Sequence, residues 1–170
     1  VHDEIQTGCG RTGTFLAAQY HDITPDVVTL AKPIGAGLPM GVCLANETYA
    51  NTLEKGEHGS TFGGGPLVCR AAAVFLDEID SGLLDQVRVR GEQLRTGLLQ
   101  LQDELPIIKE VRGRGLMLGL RLDRPAAETQ QALHRARLLL NCTAGDVLRM
   151  VPPFVITESQ VEDGLQRIRK

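Results

Sequence analysis

The sequence has little of several residue types, and each shortage excludes a class of protein. There is no tryptophan, and aromatic residues make up only 4% of the 170 positions. No continuous apolar run reaches the ~18 residues that a membrane-spanning helix needs. Basic residues are scattered and the formal net charge is −3, so we expect neither nucleic acid nor an anionic membrane as a partner.

Cysteine is also scarce, and its positions carry no metal or disulfide signature. Cys9, Cys43, Cys69 and Cys142 form no C-x-x-C pair, and no histidine lies at zinc-ligand spacing from them. We therefore expect no metal site and a reduced, cytoplasmic protein. Cys43 and Cys69 lie in apolar runs, which favours small core residues.

Lysine is the rarest charged residue, with four positions in a chain that has 18 lysines and arginines together. Only Lys32 has apolar neighbours on both sides, between the apolar run 27–31 and the glycine-rich stretch 35–41. Apolar surroundings disfavour the charged form of an amine and make it a usable nucleophile, as Schiff-base chemistry requires. The alternative is a strand-end lysine whose stem packs while its head reaches water.

Periodicity predicts alternating strands and helices. The stripe Leu84, Val87, Gly91, Leu94, Leu98, Leu101 and Leu105 indicates one long amphipathic helix, and Thr157 is a cap for the last helix. The other predicted helices start at Pro66, cover 126–138, and form a short surface helix within 46–57. The predicted strands are the end of a buried strand at 1–6, a strand covered on both faces at 27–31, and strands at 41–45, 107–111, 116–122, 139–141 and 147–150.

Three sequence blocks, in this order and spacing, carry a family resemblance. They are Asp3-Glu4-Ile5-Gln6-Thr7-Gly8-x-Gly10-Arg11-Thr12-Gly13, then Pro25–Lys32, then His58-Gly59-Ser60-Thr61-Phe62-Gly63-Gly64. Together they resemble the class III, fold-type I pyridoxal-phosphate aminotransferases. The resemblance implies an α/β fold, with the end of the large cofactor-binding domain in residues 1–66 and a smaller α+β domain in 67–170.

The resemblance also implies roles for residues of the cofactor site. Lys32 matches the lysine that binds pyridoxal 5′-phosphate covalently and shuttles the catalytic proton. Asp3 matches the aspartate that pairs with the pyridine nitrogen, and Gln6 a residue near the ring hydroxyl. Thr61 matches a threonine that donates to the cofactor phosphate of the neighbouring subunit in a homodimer. Glu4 is adjacent on the strand and should point the opposite way, so we interpret it as structural or as a support for the cofactor-binding residues.

Two further matches concern the substrates. Ser60 matches a position near the substrate, and Arg149 an arginine that engages a substrate carboxylate or a nearby glutamate, which suits a planar guanidinium. The residues Asn141-Cys142-Thr143, Val147-Leu148-Arg149 and Pro152-Pro153 resemble the arginine-pathway members. They imply transfer of an amino group from N-acetylornithine to 2-oxoglutarate, with ornithine, succinylornithine or 4-aminobutyrate as alternative donors.

The chain also departs from the family pattern. Pro33 follows Lys32 where many members have a small residue, and it is expected to hold Lys32 in an extended conformation. Gly65 replaces a frequent asparagine. The family's N-terminal half has no counterpart here, so we expect the C-terminal portion of a longer enzyme. Two alternatives remain: an inactive fragment that associates through uncovered strands, or a lyase or racemase that uses the same cofactor.

Overall fold

The computed structural model describes every residue from Val1 to Lys170. The chain divides into two compact units, Val1–Leu84 and Asp85–Lys170. The predicted boundary after residue 66 concerns the domains of a longer protein and stays a prediction.

The first unit contains a three-stranded mixed sheet. Its strands are β1 (His2–Asp3), β2 (Val27–Leu30) and β3 (Val42–Ala45), in the order β1-β2-β3. β1 is parallel to β2, and β3 is antiparallel to β2. β2 was predicted to be covered on both faces, but only one of its faces is covered. Burial alternates along the strand: Val28 and Leu30 are buried, while Val27 and Thr29 are partly exposed.

Two α-helices, two 3₁₀ turns and a π-helical segment (Ile79–Leu83) complete this unit. The helices are α1 (Glu47–Ala50) and α2 (Pro66–Glu78), and the turns are Ala17–His21 and Lys32–Gly35. Helix α1 is much shorter than predicted; Asn46 caps it by accepting a hydrogen bond from the Thr48 N–H. The core consists of Cys9, Val28, Leu30, Ile34 and Ala72.

The prediction that Cys43 and Cys69 are core residues is wrong, because both are exposed. None of the four residues of β3 is fully buried, and Ala72 is the only buried residue of α2. An apolar run therefore did not indicate a covered surface at either position.

The second unit contains a four-stranded antiparallel sheet in the order β4-β5-β7-β6. Strands β4 (Ile108–Arg114) and β5 (Met117–Leu122) form a hairpin, and β6 (Asn141–Thr143) forms an edge beside β7 (Val147–Met150). The strand predicted at 139–141 forms two residues later, at Asn141–Thr143.

Three helices pack on one face of this sheet: α3 (Leu84–Glu104), α4 (Ala127–Arg135) and α5 (Glu158–Arg169). The predicted stripe of α3 is confirmed, because Val87, Gly91, Leu94, Leu98 and Leu101 are its buried residues. Thr157 caps α5 in a capping box with Gln160, as its position predicts. The shared core also contains Leu118, Leu120, Leu122, Leu133, Leu148 and Val161.

The chain thus has an α/β fold with one mixed and one antiparallel sheet. None of its helices combines the length and the hydropathy that a membrane span requires.

Candidate active site

The candidate site lies at the carboxyl ends of two parallel strands. His2 is opposite Val28 and Asp3 is opposite Thr29 in the register of β1 and β2. The chain then reaches Lys32, three residues beyond Thr29. Side chains that follow adjacent parallel strands share one edge of the sheet, which is the usual ligand-binding edge of α/β proteins. The fold therefore brings Asp3 and Lys32 to the same edge.

The backbone at Lys32 differs from the prediction. Its φ is 53°, in the left-handed region, rather than the extended conformation that Pro33 was expected to impose. Proline disfavours the right-handed helical region for the residue before it, and the left-handed region still lets the chain turn sharply into the segment Lys32–Gly35. A left-handed lysine is strained, and such residues cluster at functional sites.

The Lys32 side chain is exposed, so the expectation of an apolar environment on both sides is wrong. Leu30 and Ile34 turn into the core in its place, with exposed fractions of 3% and 5%. The turn itself packs against helix α2. The lysine is therefore held by a firmly packed segment while its amine faces outward.

The Asp3 carboxylate is exposed and held from one side. Its Oδ1 accepts hydrogen bonds from the Ile5 N–H at 3.0 Å and from the Thr29 hydroxyl at 3.4 Å. Oδ2 accepts no hydrogen bond from the chain, and no salt bridge joins Asp3 to Lys32. Thr29 is a site residue that the sequence interpretation missed. The available signal was a hydroxyl in an otherwise apolar strand.

Glu4 has the structural role that its position on the strand suggests. It is 3% exposed, its Oε2 accepts a hydrogen bond from the Thr7 hydroxyl at 2.6 Å, and its Oε1 accepts one from the Ala18 N–H at 2.9 Å. These bonds satisfy a buried carboxylate. They also fix the loop that follows Asp3 and contains Gln6, which is partly buried.

Two titratable groups of this loop have shifted pKa values. Burial raises the pKa of the Cys9 thiol to about 11, opposed by a backbone hydrogen bond with Ile34 and reinforced by the charge of Glu4. Burial also lowers the pKa of Arg11 to about 10. Near neutral pH the thiol is therefore protonated and the guanidinium is charged, so Cys9 is a core residue there and not a nucleophile.

The glycine-rich loop with Ser60 and Thr61 is exposed from residue 57 to 64. The Ser60 Oγ accepts a hydrogen bond from the Gly63 N–H at 2.9 Å, which closes a local turn. Thr61 is exposed, and its hydroxyl makes no hydrogen bond within the chain. The structure therefore leaves Thr61 accessible to another molecule but does not place it against Asp3 or Lys32.

Arg149 lies in the second unit, on β7, opposite Gly119 of β5 and Asn141 of β6. Its Nε atom is buried. It lines a cavity of about 490 Å³ whose wall includes His134, Met150 and Ile156.

Comparison with known proteins agrees with these features. The sequence model of the family "Aminotransferase class-III" matches residues 1–170, and the chain belongs to this family. An acetylornithine aminotransferase of Mycobacterium leprae is 49% identical over 165 residues, which cover 95% of this chain and 40% of that protein.

Two solved structures share the fold. The acetylornithine aminotransferase of Elizabethkingia anophelis has a TM-score of 0.90 at 34% identity, covering 98% of this chain and 43% of its own. An ornithine aminotransferase of Toxoplasma gondii, with partial occupancy of pyridoxal phosphate at its active site, has a TM-score of 0.91 at 38% identity, covering 98% and 41%. The chain thus spans less than half the length of these proteins.

Members of this family depend on pyridoxal phosphate, and the residues at the strand ends suit that cofactor. An outward-facing amine is available for its aldehyde, and a carboxylate with an unused oxygen is available for its ring nitrogen. No group of three or more histidine, cysteine, aspartate or glutamate side chains is arranged to hold a metal ion.

Proposed function

We propose that the protein carrying this chain is a homodimeric, cytoplasmic aminotransferase of arginine biosynthesis. Its reaction converts N-acetylornithine and 2-oxoglutarate into N-acetylglutamate semialdehyde and glutamate. One observation carries the proposal: an exposed, left-handed Lys32 follows β2, at the edge where the neighbouring parallel strand ends in Asp3. The identity to acetylornithine aminotransferases supports the choice of donor.

When bound, pyridoxal phosphate supplies an aldehyde for the amino group and an electron-withdrawing ring. The Lys32 Nζ holds the cofactor at rest. During turnover, it would take a proton from the carbon that bears the substrate amine and would deliver that proton to the cofactor carbon that receives the amino group. Both tasks need an amine that reaches outward from a fixed backbone, as the packed turn at Lys32 provides.

Asp3 has an electrostatic task. Its carboxylate holds a proton on the ring nitrogen, because an adjacent negative charge favours the protonated form of a base. The two hydrogen bonds on Oδ1, from Ile5 and Thr29, orient the carboxylate and leave Oδ2 for that contact. Gln6, in the loop that the Glu4 hydrogen bonds fix, would lie near the ring hydroxyl.

The remaining roles concern phosphate and substrate. Thr61 donates its hydroxyl to the cofactor phosphate of the neighbouring subunit, which its exposed position in the 57–64 loop supports. Ser60 lies near the substrate. Arg149 binds a substrate carboxylate, for which a planar guanidinium with several N–H donors is well suited.

A second donor, ornithine, is favoured by the fold match to the Toxoplasma gondii ornithine aminotransferase. Succinylornithine and 4-aminobutyrate are further donors of the same type, each with an amine at the end of an aliphatic chain.

The test is glutamate formation from 2-oxoglutarate with each of the four donors, using purified protein and added pyridoxal phosphate. We expect the highest kcat/KM with N-acetylornithine and no detectable turnover in Lys32→Ala. A higher kcat/KM with ornithine would mean that ornithine, and not N-acetylornithine, is the preferred amino donor. Turnover that persists in Lys32→Ala would contradict the proposed role of the lysine.

A further inference from the structure

One face of the four-stranded sheet is rich in arginine. Residues directly opposite each other in antiparallel strands share a face. Arg112 of β4 is opposite Gly119 of β5, which is opposite Arg149 of β7, which is opposite Asn141 of β6. These four residues form one row, which we call the Arg112–Asn141 row. It lies on the face opposite the core residues Leu118, Leu120 and Leu148.

Glycine at the centre of this row lets the two arginines approach the same surface. A Cβ at Gly119 would lie 3.7 Å from the Arg112 Cγ and 3.1 Å from the Val147 Cγ1. The stem of Arg112 therefore leans over β5 in the direction of β7. Adjacent strands are about 4.8 Å apart, so the Arg112 and Arg149 backbones are separated by about 10 Å. An arginine side chain is long enough to span half of that backbone separation, so both guanidinium groups can reach one small anion.

Two arginines on this face, Arg121 and Arg112, differ in whether a carboxylate neutralises them. Arg121 is opposite Glu110, and its Nε donates to the Glu110 Oε2 at 3.1 Å. Arg112 is exposed, and the structure gives its guanidinium neither a hydrogen bond nor an ion pair. Two arginines on either side of a glycine make this part of the sheet face electropositive. Arg112 is thus a cation available to a ligand, whereas the Arg121 charge is already compensated.

From this arrangement we infer that Arg112 and Arg149 together bind one carboxylate group of a small keto acid, across Gly119. The inference rests on the proposed function, since it names Arg112 as a second carboxylate-binding residue for the 2-oxoglutarate class of substrate. Each guanidinium offers a fork of N–H donors that matches a carboxylate. The Asn141 amide, at the end of the row, adds a polar neighbour on the far side of Arg149.

The test is calorimetric titration of the 170-residue chain with 2-oxoglutarate, in the absence of pyridoxal phosphate. Removing one charged hydrogen-bonding partner should raise the dissociation constant roughly tenfold in Arg112→Gln. Arg112→Lys keeps the charge but loses the fork, and should fall between Arg112→Gln and the unaltered chain. Arg121→Gln is the matched control, because it removes the same charge from the same face outside the row; we expect a change below about twofold.

Several results would overturn the inference: no binding of 2-oxoglutarate to the unaltered chain, or equal effects of Arg112→Gln and Arg121→Gln, which would indicate attraction by net charge alone. Circular dichroism of each variant verifies that it folds, as expected at exposed positions. The titration involves no chemistry at Lys32. If 2-oxoglutarate binds through Arg112 but pyridoxal phosphate does not attach to Lys32, only the proposed function is contradicted. If pyridoxal phosphate attaches but the dissociation constant of 2-oxoglutarate does not depend on Arg112, only this inference is contradicted.

Discussion

At the scale of single residues, Lys32 combines an unusual backbone conformation, with a φ of 53°, and the amine proposed to hold the cofactor. A non-glycine residue in the left-handed region costs of the order of 1 kcal/mol, and the strain persists because the packed turn determines it. The amine is thereby placed at the strand end by the backbone, with no hydrogen bond or ion pair from its own side chain to hold it there.

This strain gives a prediction for two variants that both lack the amine. Lys32→Gly should have a free energy of unfolding about 1 kcal/mol higher than Lys32→Ala, because glycine adopts a positive φ without steric cost. Urea denaturation followed by circular dichroism measures the difference. Equal stabilities, or a less stable glycine variant, would show that the left-handed conformation stores no strain.

Cys9 gives a prediction for alkaline pH. Its pKa rises from an ordinary value of 9.0 to about 11 in the folded chain, so above pH 9 the unfolded state loses a proton that the folded state keeps. Stability must therefore fall as pH rises, by about 1 kcal/mol between pH 9 and pH 10. Arg11 acts in the opposite direction, but only from a pH of about 10 upward.

The measurement is the free energy of unfolding at pH 8, 9 and 10 for the unaltered chain and for Cys9→Ala. The difference between the two chains should shrink as pH rises, since the alanine variant lacks the titrating thiol. A difference that stays constant over this range would refute the raised pKa.

At the scale of elements, helix α3 approaches the β4–β5 hairpin through a glycine. A Cβ at Gly91 would lie 2.6 Å from the carbonyl carbon and oxygen of Gly115, which is backbone and has little freedom to move. In contrast, a Cβ at Gly164, within helix α5, has no atom within 4 Å.

Alanine should therefore have opposite effects at these two helical glycines. Gly91→Ala should destabilise the chain by about 2 kcal/mol through overpacking, and Gly164→Ala should stabilise it by roughly 0.5–1 kcal/mol through helix propensity. Thermal unfolding of both variants tests the pair. A neutral Gly91→Ala would mean that the helix and hairpin are packed less closely than the structure shows.

The elements that could be predicted from sequence are those with a long regular pattern or a local cap. Helix α3 has a buried residue at every three- or four-residue step, and α5 begins at a Thr157–Gln160 capping box, so both are encoded locally. The short β6 is defined by pairing with β7, which no local pattern reveals. The conformation of Lys32 likewise depends on the turn that packs under α2, and local rules for a residue before proline gave the wrong region.

The site was predictable only in part, for a related reason. Lys32 and Asp3 could be predicted because they lie in the sequence blocks that resemble the family. The parallel register of β1 and β2 brings them to one edge of the sheet. Thr29 was missed because its contact with Asp3 depends on which residue lies opposite it in the neighbouring strand. The exposure of Cys43 was missed because an apolar strand does not indicate whether both of its faces are covered.

At the scale of the whole molecule, the first unit exposes many large apolar side chains. The exposed fractions are 90% for Phe62, 76% for Leu67 and 66% for Leu53. Monomeric proteins rarely expose this much apolar surface without a partner. We therefore expect the isolated chain to self-associate at micromolar concentration, as the sequence alternative of uncovered strands also predicts.

Analytical ultracentrifugation tests this expectation, with Phe62→Asp as a variant that should raise the monomer fraction because it places a charge in the exposed surface. A monodisperse, monomeric sample of the unaltered chain that unfolds cooperatively would contradict it.

The proposed reaction depends on the attachment of pyridoxal phosphate to Lys32. The most direct test is the visible absorption spectrum of the purified chain with pyridoxal phosphate, before and after borohydride, followed by peptide mapping of the reduced product. We expect a visible band that borohydride abolishes, a label on Lys32, and neither in Lys32→Ala. Equal labelling of the unaltered chain and Lys32→Ala, or a label on Lys55, Lys109 or Lys170, would contradict it.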